Sequence, residues 1–294
     1  MKQTTKEEDL QTCKLTRKIA ADSLFSALSY LLKKKNVSEV DLRDKWLEEM
    51  NKNNFIFPEG WYSPPPKGIC VLFGTDSDNK RLNYESLRPE EMWPRDDIFL
   101  NQKEGIIYVY ASPVDKKTGI IGDFGMTIYF GKNKLIQKYL SICYGINKKI
   151  YEFIKVGMPF SEIYKFAEEI IKKHGLYNKI TSITDPAATN IGHTIPPPSS
   201  SWEKNEQIIF ESEQIKDIKK IVSSKRKFVS SIEKFKIQGD MSITIEPRPR
   251  VCNKPEIPMI SYHNICVINK NERIELLTDF EKIFQLVGMD YMLE

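Results

Sequence analysis

Two long helical stretches, each followed by a break, a Ser-Glu-aliphatic triplet and a second helix, occur in the same order at two places in this chain. In the first copy Leu10, Cys13, Ile19, Ala20, Leu24, Leu28, Leu31 and Leu32 recur at helical spacing, which predicts an amphipathic helix from about Glu7 to Lys34. Ser38-Glu39-Val40 opens the next helix, with Ser38 as N-cap and Asp41 at the reach-back position of a capping box. That helix is expected to run to about Asn53, before Phe57-Pro58-Glu59-Gly60 breaks it. In the second copy Leu135, Ile136, Tyr139, Leu140, Cys143, Ile146, Ile150 and Ile154 share one side of a helix over about 135–155. Gly157-Met158-Pro159 interrupts it, Ser161-Glu162-Ile163 is expected to cap a further helix, and Gly175 ends that helix. Strand patterns follow each helix pair. A chain of two αα-then-ββ halves is constrained to an α+β fold with pseudo-symmetry and a site between the halves.

The strand patterns carry the first chemical signal. Gly68–Gly74 and Gly105–Ala111 read as strands, and Asp115-Lys116-Lys117-Thr118-Gly119 turns the second directly into Gly119–Gly131 as a hairpin. Inside that apolar run sits one carboxylate, Asp123. A buried acid is costly unless a cation or hydrogen-bond donors meet it, and a metal, a base or a salt bridge would each serve. Further on, Met241–Glu246 is a strand with an acid at its end, and Met259–Ile268 is a strand with a histidine, His263, near its centre. His193 lies in Ile191-Gly192-His193, so two of the chain's three histidines stand on strand or strand-edge positions.

Asp123, His193, Glu246 and His263 form a mixed imidazole–carboxylate set of the kind that Fe²⁺, Mn²⁺ and Zn²⁺ accept. By residue type alone the same four can equally be hydrogen-bonded structural groups. Other motifs lead nowhere. Asp123-Phe124-Gly125 spells a kinase triplet without a Gly-rich loop or catalytic loop, and Ser199–Ser201 lack a nucleophile elbow.

Composition bounds the function classes. At 294 residues, 40% hydrophobic and 29% charged, the chain can bury a substantial core as a soluble protein. It carries no run long enough for a membrane span and no signal-peptide core, and its five scattered cysteines make no CxxC clip. A cytoplasmic location is expected. The net charge of +4 is local: residues 214–236 hold eight Lys/Arg and two acids, a net of +6, so the rest nets −2. No nucleic-acid footprint is expected. The basic segment reads as a solvated helix face or as a contact for an acidic partner or substrate.

The Met241-Ser-Ile-Thr-Ile-Glu246-Pro247 segment resembles the Thr-Ile-Glu-Pro strand of the creatinase, aminopeptidase P and methionine aminopeptidase superfamily. Ile191-Gly-His193 resembles its histidine-ligand motif, Gly157–Glu162 its helix-capping segment, and the strands through Thr278 its closing hairpin. These features run in family order from about residue 10 to 280. The resemblance implies a pita-bread fold, two pseudo-symmetric αα-ββ halves around a curved antiparallel sheet. It implies one domain over 1–294, with halves of about 1–130 and 131–294 and a basic insertion at about 203–238. It also implies a metal site of two Asp, one His and two Glu. Carried over, Asp123, His193 and Glu246 match three of these ligands. The first Asp falls near Ala111 or Ser112, where no carboxylate stands, and the last Glu is replaced by His263. Asp115 sits in the turn and is not promoted to a ligand. The family's substrate-side histidines map near Asn83 and Ser200.

These departures leave a single ion, Fe²⁺ or Mn²⁺ ahead of Zn²⁺, held by Asp123, His193, Glu246 and His263, with Glu246 doubling as proton carrier. The expected function is a mononuclear-metal hydrolase of a small peptide- or amide-like substrate. The alternatives are a non-haem Fe²⁺ oxygenase, oxidase or lyase on the same scaffold, and a catalytically inactive binding protein. Besides substrate, an acidic partner at 214–236 and a homodimer are the partners to consider; neither membrane nor nucleic acid is expected.

Overall fold

The computed structural model describes residues 6–57, 60–75, 78–179, 189–195, 203–211, 214–254 and 256–293. Helix α1 (Lys6–Leu31) packs against α2 (Glu39–Met50), where the buried Trp46 indole donates to the Ala20 carbonyl at 2.9 Å. The capping box is present: the Ser38 hydroxyl accepts from the Asp41 amide at 3.1 Å, and Asp41 Oδ2 accepts from the Ser38 amide at 2.9 Å. These bonds satisfy helix-start donors that have no partner within the helix.

Strands β1 (Ile69–Thr75), β2 (Gly105–Ala111) and β3 (Phe124–Tyr129) follow, then α3 (Lys134–Phe153) and α4 (Phe160–Lys173). A short strand β4 (Leu176–Asn178) pairs with β6 (Pro249–Val251) in a small separate ladder. Two helices, α5 (Lys204–Glu211) and α6 (Ile215–Lys225), lie in the stretch expected as an insertion, α6 within the basic segment. Strands β5 (Met241–Ile245), β7 (Tyr262–Ile268) and β8 (Ile274–Leu277) and helix α7 (Glu281–Val287) complete the chain.

The main sheet runs β1-β2-β3-β7-β5, with β8 also on β7, and each pairing is antiparallel. Strand β7 joins the halves. Its first two residues pair with Met126 and Gly125 of β3, and the rest pairs with β5 and β8. Helices α1, α3 and α7 all contact this sheet, and β2, β3 and β7 are buried along their whole length. No helix among the described residues is long and apolar enough to cross a membrane.

Three local expectations are corrected. The regular β2–β3 ladder stops at the pair Ala111–Phe124, so β3 begins after Asp123 rather than at Gly119. Pro113 has no N–H to offer the ladder; its carbonyl instead accepts from Gly122, and the 115–119 turn closes on itself through Gly119 N–H to the Asp115 carbonyl. Helix α4 starts at Phe160, and Ser161 is not its cap. The Phe160 and Ser161 amides donate to the Phe235 and Glu233 carbonyls, so a neighbouring backbone supplies what a capping hydroxyl would. Finally, Leu135 lies mostly in solvent, off the apolar face that periodicity assigned to it.

Candidate functional site

Sheet register assembles the floor of the site. Tyr110 pairs with Gly125, Gly125 pairs with His263, and the β5–β7 pairing of Ile245 with Asn264 runs on to bring Glu246 beside His263. Gly125 is where this line needs no side chain. A Cβ there would lie 2.8 Å from the His263 ring, and its absence lets the Tyr110 and His263 rings meet at 5.1 Å between centroids. Asp123 enters one residue before β3, its carbonyl held by the buried Arg17 guanidinium of α1, which also bonds the Thr278 carbonyl and Asp279. His193 is held by Thr244: the Thr244 hydroxyl accepts its amide at 2.9 Å. Gly192 before it has φ +152, and a Cβ there would strike the Thr244 carbonyl at 2.0 Å.

The four side chains expected to act together do meet. His263 Nδ1 lies 2.9 Å from Glu246 Oε2 and 3.4 Å from Asp123 Oδ1. His193 Nε2 lies 3.6 Å from Asp123 Oδ2 and 3.8 Å from Glu246 Oε1. Each imidazole thus faces one oxygen of each carboxylate, giving a closed ring of alternating groups. All four are buried, with ligand atoms of Asp123, Glu246 and His263 within 4.8 Å of one another. The remaining ring nitrogens are engaged: His193 Nδ1 with the Thr194 carbonyl at 2.9 Å, and His263 Nε2 with the Tyr108 hydroxyl at 3.2 Å. The carbonyl accepts a hydrogen bond from Nδ1–H, so Nε2 is the nitrogen that His193 turns toward the two carboxylates.

Electrostatics couple the ring. Burial alone would raise the Asp123 carboxyl, but hydrogen bonds from His193 and His263 and the charge on both rings hold it far below the usual carboxylate range. Glu246 is also pushed up by burial and pulled down harder by His263 and Arg248, to about 2. Burial lowers His263, and the adjoining Glu246 and Asp123 outweigh it, so that ring holds its proton more tightly than usual. Arg248 Nη2 lies 3.2 Å from Glu246 Oε2.

The other expected positions divide. Ser112 is fully buried, and the Ala111–Phe124 pair places it across from Asp123, so the position facing that carboxylate carries a hydroxyl. Asp115 accepts the Lys117 and Thr118 amides and the Thr118 hydroxyl, a turn role away from the ring. Asn83 does not reach the cavity. Its amide clamps the 257–259 backbone, donating to the Ile257 carbonyl at 3.1 Å and accepting the Met259 amide at 2.9 Å, while its neighbour Tyr84 lines the cavity. Ser200 lies outside the described residues. Sequence reasoning passed over Tyr108, Tyr110 and Arg248. The alternation Tyr108-Val109-Tyr110 puts both tyrosines on one face of a strand, and Arg248 stands two residues past Glu246.

Above the ring opens a cavity of about 230 Å³. Tyr108, Tyr110, His193, His263, Glu246 and Arg248 form its floor among the described residues, and Trp61, Tyr62, Arg88, Lys219, Arg226 and Phe228 its walls. The basic segment is therefore not a free solvated face. Ile218 and Val222 of α6 are fully buried against Phe57, Trp61, Val114 and Ile121, and the helix forms one side of the cavity.

The fold and the ring define an α+β protein of the pita-bread class with an imidazole–carboxylate site at the junction of its halves. The chain belongs to metallopeptidase family M24, whose model matches residues 18–270. No curated protein sequence matches it. Among solved structures it is similar to the prolidase from Pyrococcus horikoshii OT3, at 16% identity and a TM-score of 0.60, over 94% of this chain and 63% of that one. It is similar to the X-Pro aminopeptidase from Thermotoga maritima MSB8 at 12% identity and 0.60, over 94% and 62%. It is similar to the methionine aminopeptidase from Rickettsia prowazekii at 17% identity and 0.61, over 95% and 99%. The chain thus spans less than two thirds of the first two relatives and nearly all of the third. At these identities the likeness is one of fold.

Proposed function

We propose that this chain is a metal-dependent hydrolase of a small peptide- or amide-like substrate, working with one divalent ion held by Asp123, His193, Glu246 and His263. Fe²⁺ or Mn²⁺ suits this mixed set better than Zn²⁺. The observation that carries the proposal is the spacing of the ring. Donor atoms sharing one ion at about 2.0–2.2 Å stand roughly 3–3.5 Å apart, and the four contacts here run from 2.9 to 3.8 Å. Asp123, Glu246 and His263 present donors within 4.8 Å of one another, while His193 Nε2, at 3.6 and 3.8 Å from the two carboxylates, stands outside that group of three and would have to move inward to join the same ion. A second finds no carboxylate at Ser112, and His263 cannot bridge two ions as a carboxylate does.

When bound, such an ion polarises a carbonyl and lowers the pKa of a bound water. The remaining work falls to the chain. Tyr108 orients His263, the Thr194 carbonyl orients His193, and Arg248 anchors Glu246. Burial keeps Tyr108 and Tyr110 well above the ordinary phenol range, so both stay neutral O–H donors at the cavity floor. Glu246, with its carboxyl lowered to about 2, is a ligand first and a weak proton acceptor at neutral pH.

A second reading, binding without turnover, is favoured by one observation. Arg248 and a protonated His263 balance the charges of Asp123 and Glu246 without any ion. A mixture of short peptides incubated with the purified chain separates the two. The hydrolase reading expects new N-termini with Mn²⁺ or Fe²⁺, lost on chelation and in Glu246→Gln. Peptide retention with no cleavage under any metal favours binding alone and overturns the hydrolase.

A further inference from the structure

The backbone of Asp123 is held from outside the sheet. Its neighbours face β2: Phe124 pairs with Ala111, and the Gly122 amide donates to the Pro113 carbonyl. The Asp123 carbonyl meets helix α1 instead, as the last of three consecutive residues that do so. The Cys13 thiol reaches the Ile121 carbonyl at 4.0 Å. Gly122 lies directly on the helix backbone, where a Cβ would stand 2.2 Å from the Thr16 carbonyl carbon and 2.4 Å from the Arg17 nitrogen. The Arg17 guanidinium then donates from Nη1 to the Asp123 carbonyl. Cys13 and Arg17 stand at i and i+4, so both contacts come from one face of α1.

Arg17 is fully buried, and each of its three nitrogens is engaged. Nη2 donates to the Thr278 carbonyl and Nε to Asp279 Oδ2 at 3.1 Å. The guanidinium also lies 5.2 and 5.4 Å from the Phe124 and Phe280 ring centres. A planar fork holds its acceptors at fixed angles, which an ammonium on a flexible stem does not. Keeping a cation there is costly: burial loosens its proton, and the charges of Asp279 first and Asp123 second oppose that. An apolar side chain of similar volume would fill the space at less desolvation cost. It would leave the Asp123 carbonyl without this donor. Arg17 itself takes no part in lining the cavity.

We propose that Arg17 is a positioning residue for the ring, fixing the Asp123 backbone and with it the place of the carboxylate beside His193 and His263. The inference rests on the one-ion reading only where it concerns metal affinity.

Two variants of the full chain separate positioning from bulk stability. Arg17→Lys keeps a cation and loses the fork, whereas Asp279→Asn weakens the ion pair and leaves the bond to Asp123 in place. Mn²⁺ affinity is measured by calorimetry. Imidazole NMR signals are recorded at fixed pH without metal, with the exposed His174 as internal reference. Arg17→Lys should bind Mn²⁺ about 10- to 100-fold more weakly and shift the His193 and His263 signals, with His174 unmoved. Asp279→Asn should lower unfolding stability and leave both readouts near their native values. Should Arg17→Lys not fold, hydrogen exchange of the native chain decides. Mn²⁺ should then slow exchange in α1 around Arg17 by a larger factor than in α4, which packs on α3 and β4. Unmoved imidazole signals with unchanged affinity in folded Arg17→Lys, equal effects from Asp279→Asn, or equal slowing in α1 and α4 would overturn the proposal. A native chain that binds no Mn²⁺ counts against the one-ion reading, while shifted imidazole signals in Arg17→Lys still uphold the positioning role. An ion held equally by both proteins, with unmoved signals, does the reverse.

Discussion

The floor and the wall of this cavity are built by different physics. The floor is a buried ring of two carboxylates and two imidazoles, placed by strand register and by glycines that remove side chains where rings must meet. Each of its members leans on the others' charge, so none can be changed alone. The wall is a docked helix whose apolar face holds it in place and whose cations are partly solvated. The ring sits where the sheet joins its halves, and the wall sits on a helix that docks through Ile218 and Val222.

The contrast can be broken from the floor upward. Asp123→Ala leaves His193 and His263 facing Glu246 alone. It is expected to cost about 3–5 kcal/mol in denaturant unfolding, the range for breaking a buried charged set.

Acid should act on the floor next. Because Glu246 is depressed from 4.5 to about 2, its stabilisation is complete above pH 4.5 and is lost as pH falls towards 2. Linkage puts that loss at about 3 kcal/mol in metal-free protein. His263 has the opposite sign, since a raised imidazole stabilises at low pH and loses its contribution only as pH rises, so it does not offset the acid loss. Asp123, held lower still, loses its contribution as pH falls below 3.8 as well, so the acid dependence should weaken but persist in Glu246→Gln.

Gly125→Ala should cost about 1–3 kcal/mol, because its Cβ would meet the His263 ring at 2.8 Å and the ring must shift. The smallest effect belongs to the wall. Lys219→Ala should change unfolding stability by less than about 0.5 kcal/mol, since its stem is partly exposed and the helix docks through Ile218 and Val222. A large loss there would mean that wall and floor are one unit.

Much of this was legible in residues. Asp123, Glu246 and His263 each break an apolar strand pattern, and a polar group in a buried strand demands a partner. That demand, with the Thr-Ile-Glu-Pro and Ile-Gly-His resemblances, led to all four members of the ring. The helix pairs were readable because capping residues and apolar periodicity act locally, as at Ser38 and Asp41. What failed was tertiary. Ser161 looked like a cap, but the Phe235 and Glu233 carbonyls took its task, and no local pattern announces an acceptor so far along the chain. Asn83 looked like a substrate contact and is a clamp on the 257–259 backbone. The basic segment looked solvated because charge dominates its composition. Ile218 and Val222 decide where its helix α6 sits, and only the apolar patch around Trp61 gives them a destination.

The central claim is one ion per chain on four residues. Metal content per chain, measured by native mass spectrometry on protein purified without oxygen, tests it directly, with His193→Ala alongside. The account predicts a single ion in the native chain and none in the variant. Two ions, no ion in the native chain, or an ion unaffected by loss of His193 would contradict it.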